Sequence, residues 1–328
     1  MKKSNWVFLM IMLLSTMITL SASNWISMWI GLELNMMSFI PLILKESNKS
    51  STEAAMMYFL IQSMSSMLLI SMVLINMMKF IIPNYLIYVT ITISLLIKLG
   101  AAPFHMWVPE IMSKINWIKC AMLMTWQKMA PLMMMSNINN NSYIMNISIM
   151  MSAMVGAVGG MNQISLRKMM GFSSINHLGW IMAINKKMNL WMIYMFIYSI
   201  MVIMLCKLFN MYKMYFINQV NSINLTNTEK FNMFMMMMSM GGLPPFIGFL
   251  PKWMTIKNMI DEKELYVIIW LVGFSLLTLM YYMRTMTNMF LSFSSSTKWM
   301  MSDNKNFITS VSMIINLSMP IMLLFDMI

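Results

Sequence analysis

Apolar residues run along this chain in long blocks, and polar residues punctuate them at intervals close to one bilayer crossing. A hydrocarbon core of about 30 Å needs about 20 apolar residues of helix. Eleven blocks read as crossings: Trp6 to Ser21, Trp25 to Leu44, Ala54 to Met78, about Pro83 to Met112, Trp117 to Met135, Tyr143 to Gly160, Ile164 to Ile184, Leu190 to Asn210, about Phe231 to Met259, Leu265 to Met289 and Phe307 to Met327. Asn- and Ser-rich stretches such as 136–142 and 292–297 supply turns. The pattern predicts an all-α polytopic membrane protein with about eleven transmembrane helices. The first block could pass for a signal peptide, but apolar sequence resumes at Trp25 almost without pause, so it reads as a retained helix.

Two blocks are interrupted. In LLIKLGAAPFHMWVPE, 95–110, Gly100 and Pro103 fall where a straight helix would continue. Proline removes a backbone donor and clashes with the preceding turn, and glycine loosens it. GLPPFIGFLPKW, 242–253, has the same grammar: shifted by 142 positions (100 to 242), Gly100, Pro103, Phe104 and Pro109 fall on Gly242, Pro245, Phe246 and Pro251. These are the fourth and ninth blocks, an odd number of crossings apart, so the second unit is upside down relative to the first. The expected organisation is an inverted five-helix repeat with two discontinuous helices. The first unit covers 1–137 (broken helix 83–112), the second 138–289 (broken helix 231–259), and 290–328 holds a loop and a C-terminal transmembrane helix. Gly/Pro-interrupted segments at matching places in two halves point to the ion path of a transporter. Irregular backbone at membrane depth survives only where it is buried in protein or lines water.

Composition agrees. The chain has 328 residues, 59% hydrophobic and 10% charged, where soluble domains carry about 25% charged residues. With eleven crossings, fourteen Lys and Arg residues fall on the side of the N-terminus, Lys45, Lys114, Lys119, Arg167, Lys168 and Arg284 among them, and five on the other: Lys79, Lys186, Lys187, Lys257 and Lys263. The positive-inside rule then puts the N-terminus in the positive-inside compartment and the C-terminus opposite. The net charge of +12 is a loop property, and no basic, aromatic-interleaved domain asks for nucleic acid. The 55 methionines read as flexible apolar filler, without the Met/Cys/His clustering of a soft-metal site. Their excess fits an organelle code that reads AUA as Met, hence a mitochondrially encoded chain. Cys120 and Cys206 have neither metal spacing nor a disulfide framework.

Four ionisable residues fall well inside blocks: Glu33, Lys98, Lys128 and Lys252. Each costs about 2.5–3.5 kcal/mol at a helix centre, so four facing lipid would cost on the order of 10–14 kcal/mol. They must face one another, water or backbone carbonyls. A salt bridge between Glu33 and one lysine is the plain reading, but it leaves two lysines unpaired. A lysine relay accounts for all four. Burial brings a lysine's neutral form within reach, and a carboxylate about 7 Å away shifts the balance by about 2.4 kcal/mol at an effective dielectric of about 20. His105, after the first break, and His177, in SSINHLGW, are secondary relay candidates. A lone helical histidine is more often a packing residue, and neither has a partner at the spacing of a metal or haem site. Gly156, Gly159 and Gly160 suit close helix packing. Glu110 falls in a loop with a solvated role, and Lys207 and Arg284 lie near enough to block ends to snorkel. There is no phosphate-binding glycine loop, iron–sulfur cysteine cluster or nucleophile triad.

The motifs WIGLELNMMSFIPLI, STEAAMMYFLIQS, LLIKLGAAPFHMWVPE, LMTWQKMAPL, GAVGGMNQISLRKMMGFSSINHLGW and SMGGLPPFIGFLPKW resemble the chain 2 family of NADH:ubiquinone oxidoreductase, an antiporter-like membrane subunit of respiratory complex I, in its animal mitochondrial form. The resemblance runs from about Trp6 to Trp253 and more loosely to the end. It implies a fold shared with bacterial cation/proton antiporters and shortened by three N-terminal helices. It implies that Glu33 is the carboxylate that pairs with a lysine. Lys98 and Lys252 would be the lysines of the two broken helices, and Lys128 the connecting lysine between half-channels. It further implies proton translocation across the mitochondrial inner membrane, coupled to electron transfer from NADH to ubiquinone. The N-terminus would face the matrix and the C-terminus the intermembrane space. No cofactor is expected in this chain; NADH, FMN, iron–sulfur clusters and ubiquinone belong to other subunits. Expected partners are membrane subunits 4L and 4, accessory subunits and phospholipids. Two other classes compete: a stand-alone cation/proton antiporter, and a structural membrane spacer whose charges only hold helices together.

Overall fold

The computed structural model describes residues 3–45, 48–78, 83–138, 142–222, 226–291 and 306–318. Among them the chain is helical, with one isolated antiparallel bridge between Ser165 and Phe216. The helices are α1 (Lys3–Ser21), α2 (Trp25–Leu44), α3 (Lys49–Met77), α4 (Asn84–Leu99), α5 (Trp107–Lys114), α6 (Trp117–Met124), α7 (Trp126–Ser136), α8 (Ser142–Met161), α9 (Leu166–Ala183), α10 (Met188–Met211), α11 (Ile217–Ser222), α12 (Asn227–Gly241), α13 (Phe249–Asp261), α14 (Leu265–Leu291) and α15 (Asn306–Asn316). Among the described residues, five are long and apolar enough to cross a membrane: α2, α3, α10 and the greater parts of α8 and α14. The fold is that of an all-helical polytopic membrane protein.

α3 shows how these sequences choose their faces. Met56, Leu60, Met64, Met67 and Leu74 are exposed along one side, while Ala54, Tyr58, Gln62, Ser65 and Leu69 are buried on the other. A soluble helix hides its apolar stripe. This one turns a Met- and Leu-rich face outward and keeps Gln62, Ser65 and Ser66 inside, as a helix surrounded by lipid requires. The buried hydroxyls answer their own backbone: Ser65 donates to the Gln62 carbonyl at 2.8 Å and Ser94 to that of Ile91 at 2.7 Å.

Both interruptions foreseen from glycine and proline are present. α4 stops at Leu99 with Gly100 left-handed (φ 69°), and α12 stops at Gly241 with Gly242 left-handed (φ 77°). Only glycine takes that conformation without a Cβ penalty, and it closes a helix C-terminus by turning the next amides onto the last carbonyls. The Ala101 amide donates to the Leu96 carbonyl and the Leu243 amide to that of Met238.

The fifth block, expected as one helix from Trp117 to Met135, is two: α6 and α7 meet at Thr125, whose hydroxyl donates to the Ala121 carbonyl at 2.7 Å. Pro131 inside α7 supplies no amide to the turn that follows Thr125. Lys119, expected in a loop, is buried near the start of α6, with its ammonium 3.1 Å from the Ile43 carbonyl in the last turn of α2. The carbonyls of a helix end have no partner within the helix, so a cation is at home there. Glu110 is exposed as expected but stands in the first turn of α5. Of the last block, 307–327, the part beyond 318 lies outside the described residues, as do Lys2, Lys79, Lys298, Lys305 and the Lys3 side chain.

α8 and α9 touch through glycine. A Cβ on Gly156 would lie 2.6 Å from the Asn176 amide nitrogen, and one on Gly179 would lie 2.7 Å from the Ser152 hydroxyl. Small residues at these crossings let two backbones approach. The contact matters because α9 carries the centre of the site.

Candidate functional site

Lys98 sits in the last turn of α4, buried, just before the left-handed Gly100. Its position at the carbonyl end of a helix suits a cation. Gln62 Nε2 from α3 donates to the Lys98 carbonyl at 3.2 Å, and the Trp107 indole N–H from α5 reaches back across the break to the Ile97 carbonyl at 3.2 Å. The break is thus held on both sides by side chains that answer carbonyls freed by the helix end.

Lys128 lies in the first turn of α7, 3% exposed. Its ammonium donates to the Ser174 carbonyl of α9 at 3.1 Å and stands 5.9 Å from the centre of the Tyr198 ring. Lys98 and Lys128 line one cavity of about 20 Å³ together with Asn35, Tyr58, Gln62 and Gln127. Such a space admits about one water molecule, and its polar walls can hydrogen-bond it. The Tyr58 hydroxyl donates to Gln127 Oε1 at 3.0 Å, and Gln127 Nε2 donates to Asn35 Oδ1 at 3.1 Å.

Lys252 lies in the first turn of α13, also buried. Its ammonium crosses the second break and donates to the Gly241 carbonyl at 2.6 Å, and it lies 5.7 Å from the centre of the Trp180 ring. Gly242 must be glycine twice over. Its φ is left-handed, and a Cβ there would lie 2.8 Å from the Lys252 ammonium.

α9 joins the second and third lysines. Ser174, His177 and Trp180 recur every three residues, so they share one helix face. The Ser174 backbone carbonyl receives Lys128 and the Trp180 ring faces Lys252, while His177, between them in sequence, packs on the Tyr198 ring that Lys128 also approaches. His177 Nδ1 is 2.9 Å from the Tyr194 hydroxyl, and its ring packs 4.8 Å from that of Tyr198.

Glu33 is half-buried on α2, with Oε1 inside and without a hydrogen-bond partner. Among the described residues no lysine is in ion-pair contact with it. Its charge nevertheless reaches Lys98 and Tyr58. His105 stands apart from this group. It sits half-buried in the segment between α4 and α5, where Nδ1 lies 3.1 Å from the Pro103 carbonyl, and it does not border the Lys98–Lys128 cavity. Among the described residues no three His, Cys, Asp or Glu side chains gather as metal ligands would.

A row of buried cations joined by a polar cavity and a histidine, held by two interrupted helices, is the arrangement of a charge-conducting membrane protein. The family model "NADH:quinone oxidoreductase/Mrp antiporter, TM" matches residues 22–278. The chain belongs to this family. A relative in Anopheles gambiae, NADH-ubiquinone oxidoreductase chain 2, is 39% identical over 96% of this chain and 95% of its own length. The fold is shared with a chain of respiratory complex I from Thermus thermophilus, at a TM-score of 0.82 and 15% identity over 98% of this chain and 77% of that one. It is also shared with a chain of the Mrp complex from a Dietzia species, at a TM-score of 0.76 and 16% identity over 87% and 59% of the two chains. The matched residues of the antiporter-like family contain Glu33, Lys98, Lys128, Lys252 and both interruptions.

The uncharged partners were not foreseen from the sequence. Asn35, Tyr58, Gln62, Gln127, Tyr194 and Tyr198 carry no charge that must be explained inside a bilayer. Gln127 had a signal in its adjacency to Lys128, and Gln62 in its place midway along an apolar helix.

Proposed function

We propose that this chain is a proton-translocating membrane subunit of a mitochondrial NADH:ubiquinone oxidoreductase, with Lys98, Lys128, His177 and Lys252 as its proton path and Glu33 as the charge that biases Lys98. The observation that carries the reading is the shared surroundings of the lysines. Lys98 and Lys128 face one cavity, and Lys128 and Lys252 both contact α9, at the Ser174 carbonyl and the Trp180 ring on either side of His177 in sequence. A structural spacer has no need of three cations at the cost of burying each. Proton movement along the row needs only that each lysine's charge state respond to its neighbour's, and at an effective dielectric of about 20 unit charges still influence one another over such separations.

In this reading about eleven crossings form an inverted five-helix repeat. The units 1–137 and 138–289 are each centred on a glycine-capped break, and 290–328 is a peripheral addition. The like left-handed caps at Gly100 and Gly242 support that symmetry. The N-terminus faces the matrix and the C-terminus the intermembrane space, as the excess of basic residues on the N-terminal side favours. NADH, FMN, iron–sulfur clusters and ubiquinone are served by other subunits. Membrane subunits 4L and 4, accessory subunits and phospholipids surround this one.

Lys98→Ala in the assembled membrane complex tests the reading. Retained assembly and NADH oxidation with fewer protons moved per NADH supports it. Normal pumping by whatever complex assembles would leave the lysine a structural part. Cation/proton exchange by the isolated chain in liposomes would favour a stand-alone antiporter.

A further inference from the structure

Three helices that carry the row also run to one common end. From Lys128 to Ser136 along α7, and from His177 to Asn185 in the turn that ends α9, the chain advances eight residues; from Lys252 to Glu262 in the turn that ends α13 it advances ten. At about 1.5 Å per residue these are rises of about 12, 12 and 15 Å, roughly half the hydrocarbon thickness of about 30 Å. The three endpoints meet in a second polar cavity, of about 30 Å³, which Ser136, Asn146, Asn185, Lys186, Glu262 and Glu264 help to line. It has room for one or two waters.

The side of α13 between Lys252 and this cavity is polar and buried. Thr255 is 1% exposed and Asn258 4%. With Lys252 and Glu262 they follow one another at three- and four-residue steps, so they form one stripe. Asn258 Nδ2 donates to Glu262 Oε1 at 3.3 Å, while its own Oδ1 is buried and without a partner. A buried amide oxygen left open is costly unless something donates to it. Glu262 Oε2 lies 3.6 Å from the Lys186 ammonium, so one carboxylate faces Asn258 on one side and a cation on the other.

We propose that this cavity is the mouth through which protons leave the row, with Glu262 as the last protein acceptor, Asn258 as the residue that positions the water before it, and the Lys186–Glu262 pair as its gate. The inference rests on the relay reading above and adds the outlet to it. A proton leaves the Lys252 ammonium, whose N–H bond breaks, and passes over water held by Asn258. An O–H bond forms on Glu262, which releases Lys186. Glu262 then gives the proton to bulk water and recovers its charge and its partner. Nothing is oxidised or reduced. Lys186 lies in the loop after the seventh crossing and Glu262 after the ninth, so both fall on the less basic face, the outlet side expected from the loop charges.

The test compares Glu262→Gln, Asn258→Ala, Asn258→Asp and Lys252→Ala in the assembled complex, reading protons moved per NADH oxidised. Glu262→Gln and Asn258→Ala should lose the share of pumping that Lys252→Ala loses, with NADH oxidation retained, and Asn258→Asp should recover part of it. Normal pumping by Glu262→Gln and Asn258→Ala alongside a deficient Lys252→Ala would overturn the outlet and leave the relay standing. Normal pumping by Lys252→Ala would remove the relay itself. Should Glu262→Gln not assemble, a single cysteine decides. Cys120 and Cys206 are buried, so Ser136→Cys can be probed with a charged, membrane-impermeant methanethiosulfonate. Reaction from the face of residues 186–187, faster when combined with Lys186→Ala, supports the gated mouth; protection from that face overturns it.

Discussion

Lys98 and Lys128 belong to different helices, yet they face one cavity whose remaining polar walls are uncharged. Neither has a carboxylate in ion-pair contact among the described residues. The Ser174 carbonyl receives the Lys128 ammonium, and Lys98 stands in the last turn of α4, where the helix dipole favours a cation. Such partners stabilise an ammonium without neutralising it, which leaves its proton free to move.

That arrangement predicts the behaviour of Lys128→Met. The substitution keeps the length of the stem and removes a cation that costs about 2.5–3.5 kcal/mol at membrane depth. It leaves no buried charge unpaired, because the lost partner is a neutral carbonyl. Assembly should therefore be normal or improved, judged by native gel, while protons moved per NADH fall. A variant that assembles poorly would show the ammonium to be structural.

Gly242→Ala should reproduce the loss caused by Lys252→Ala without touching the lysine. Alanine at φ 77° costs about 1–2 kcal/mol, and its Cβ would lie 2.7 Å from Lys252 Cδ and 2.8 Å from Nζ. The ammonium would then be pushed from the Gly241 carbonyl. The expected result is lowered pumping together with modest loss of thermal stability, measured on the same preparation.

The breaks were legible because glycine and proline write them directly: Gly100 and Gly242 are left-handed helix ends. The burial of Lys98, Lys128 and Lys252 was legible because a bilayer makes charge expensive. The break at Thr125 was not, since threonine has no such signature; Pro131, six residues on, was the only hint. Lys119 was misplaced for a related reason. A lysine near the end of an apolar block snorkels or caps a neighbouring helix with equal ease, and only packing shows that the Ile43 carbonyl lies within reach. The polar lining from Tyr58 to Gln127 to Asn35 depends on three helices meeting, which no single segment encodes.

The two histidines should part company. His177 lies in sequence between the Ser174 carbonyl and the Trp180 ring that Lys128 and Lys252 contact, and His105 lies against Pro103, away from the cavity. Proton transfer by a positioned side chain is worth about 10²–10⁴-fold. His177→Phe, which keeps the ring and removes Nδ1 from the Tyr194 hydroxyl, should take this subunit's pumping to background. His105→Ala should pump as wild type. A loss in His105→Ala with normal pumping by His177→Phe would place the path through the first break instead of along α9.

A last prediction separates packing from chemistry. A Cβ at Gly156 would meet the Asn176 amide nitrogen at 2.6 Å and the Phe172 carbonyl at 2.8 Å. Both are backbone atoms of a helix, so they cannot swing aside as a side chain could. Gly156→Ala must push α9 away from α8, and overpacking of this kind costs about 1–3 kcal/mol. Ser174, His177 and Trp180 ride on α9, so the same shift moves every residue that links Lys128 to Lys252. Less complex should assemble, and what assembles should pump poorly. Gly273 provides the contrast, because a Cβ there meets nothing within 4 Å. Gly273→Ala, in mid-helix, should be silent or stabilising by up to about 1 kcal/mol. Native gels and pumping assays on the two variants would show whether close approach of α8 and α9 is needed to hold the row in register.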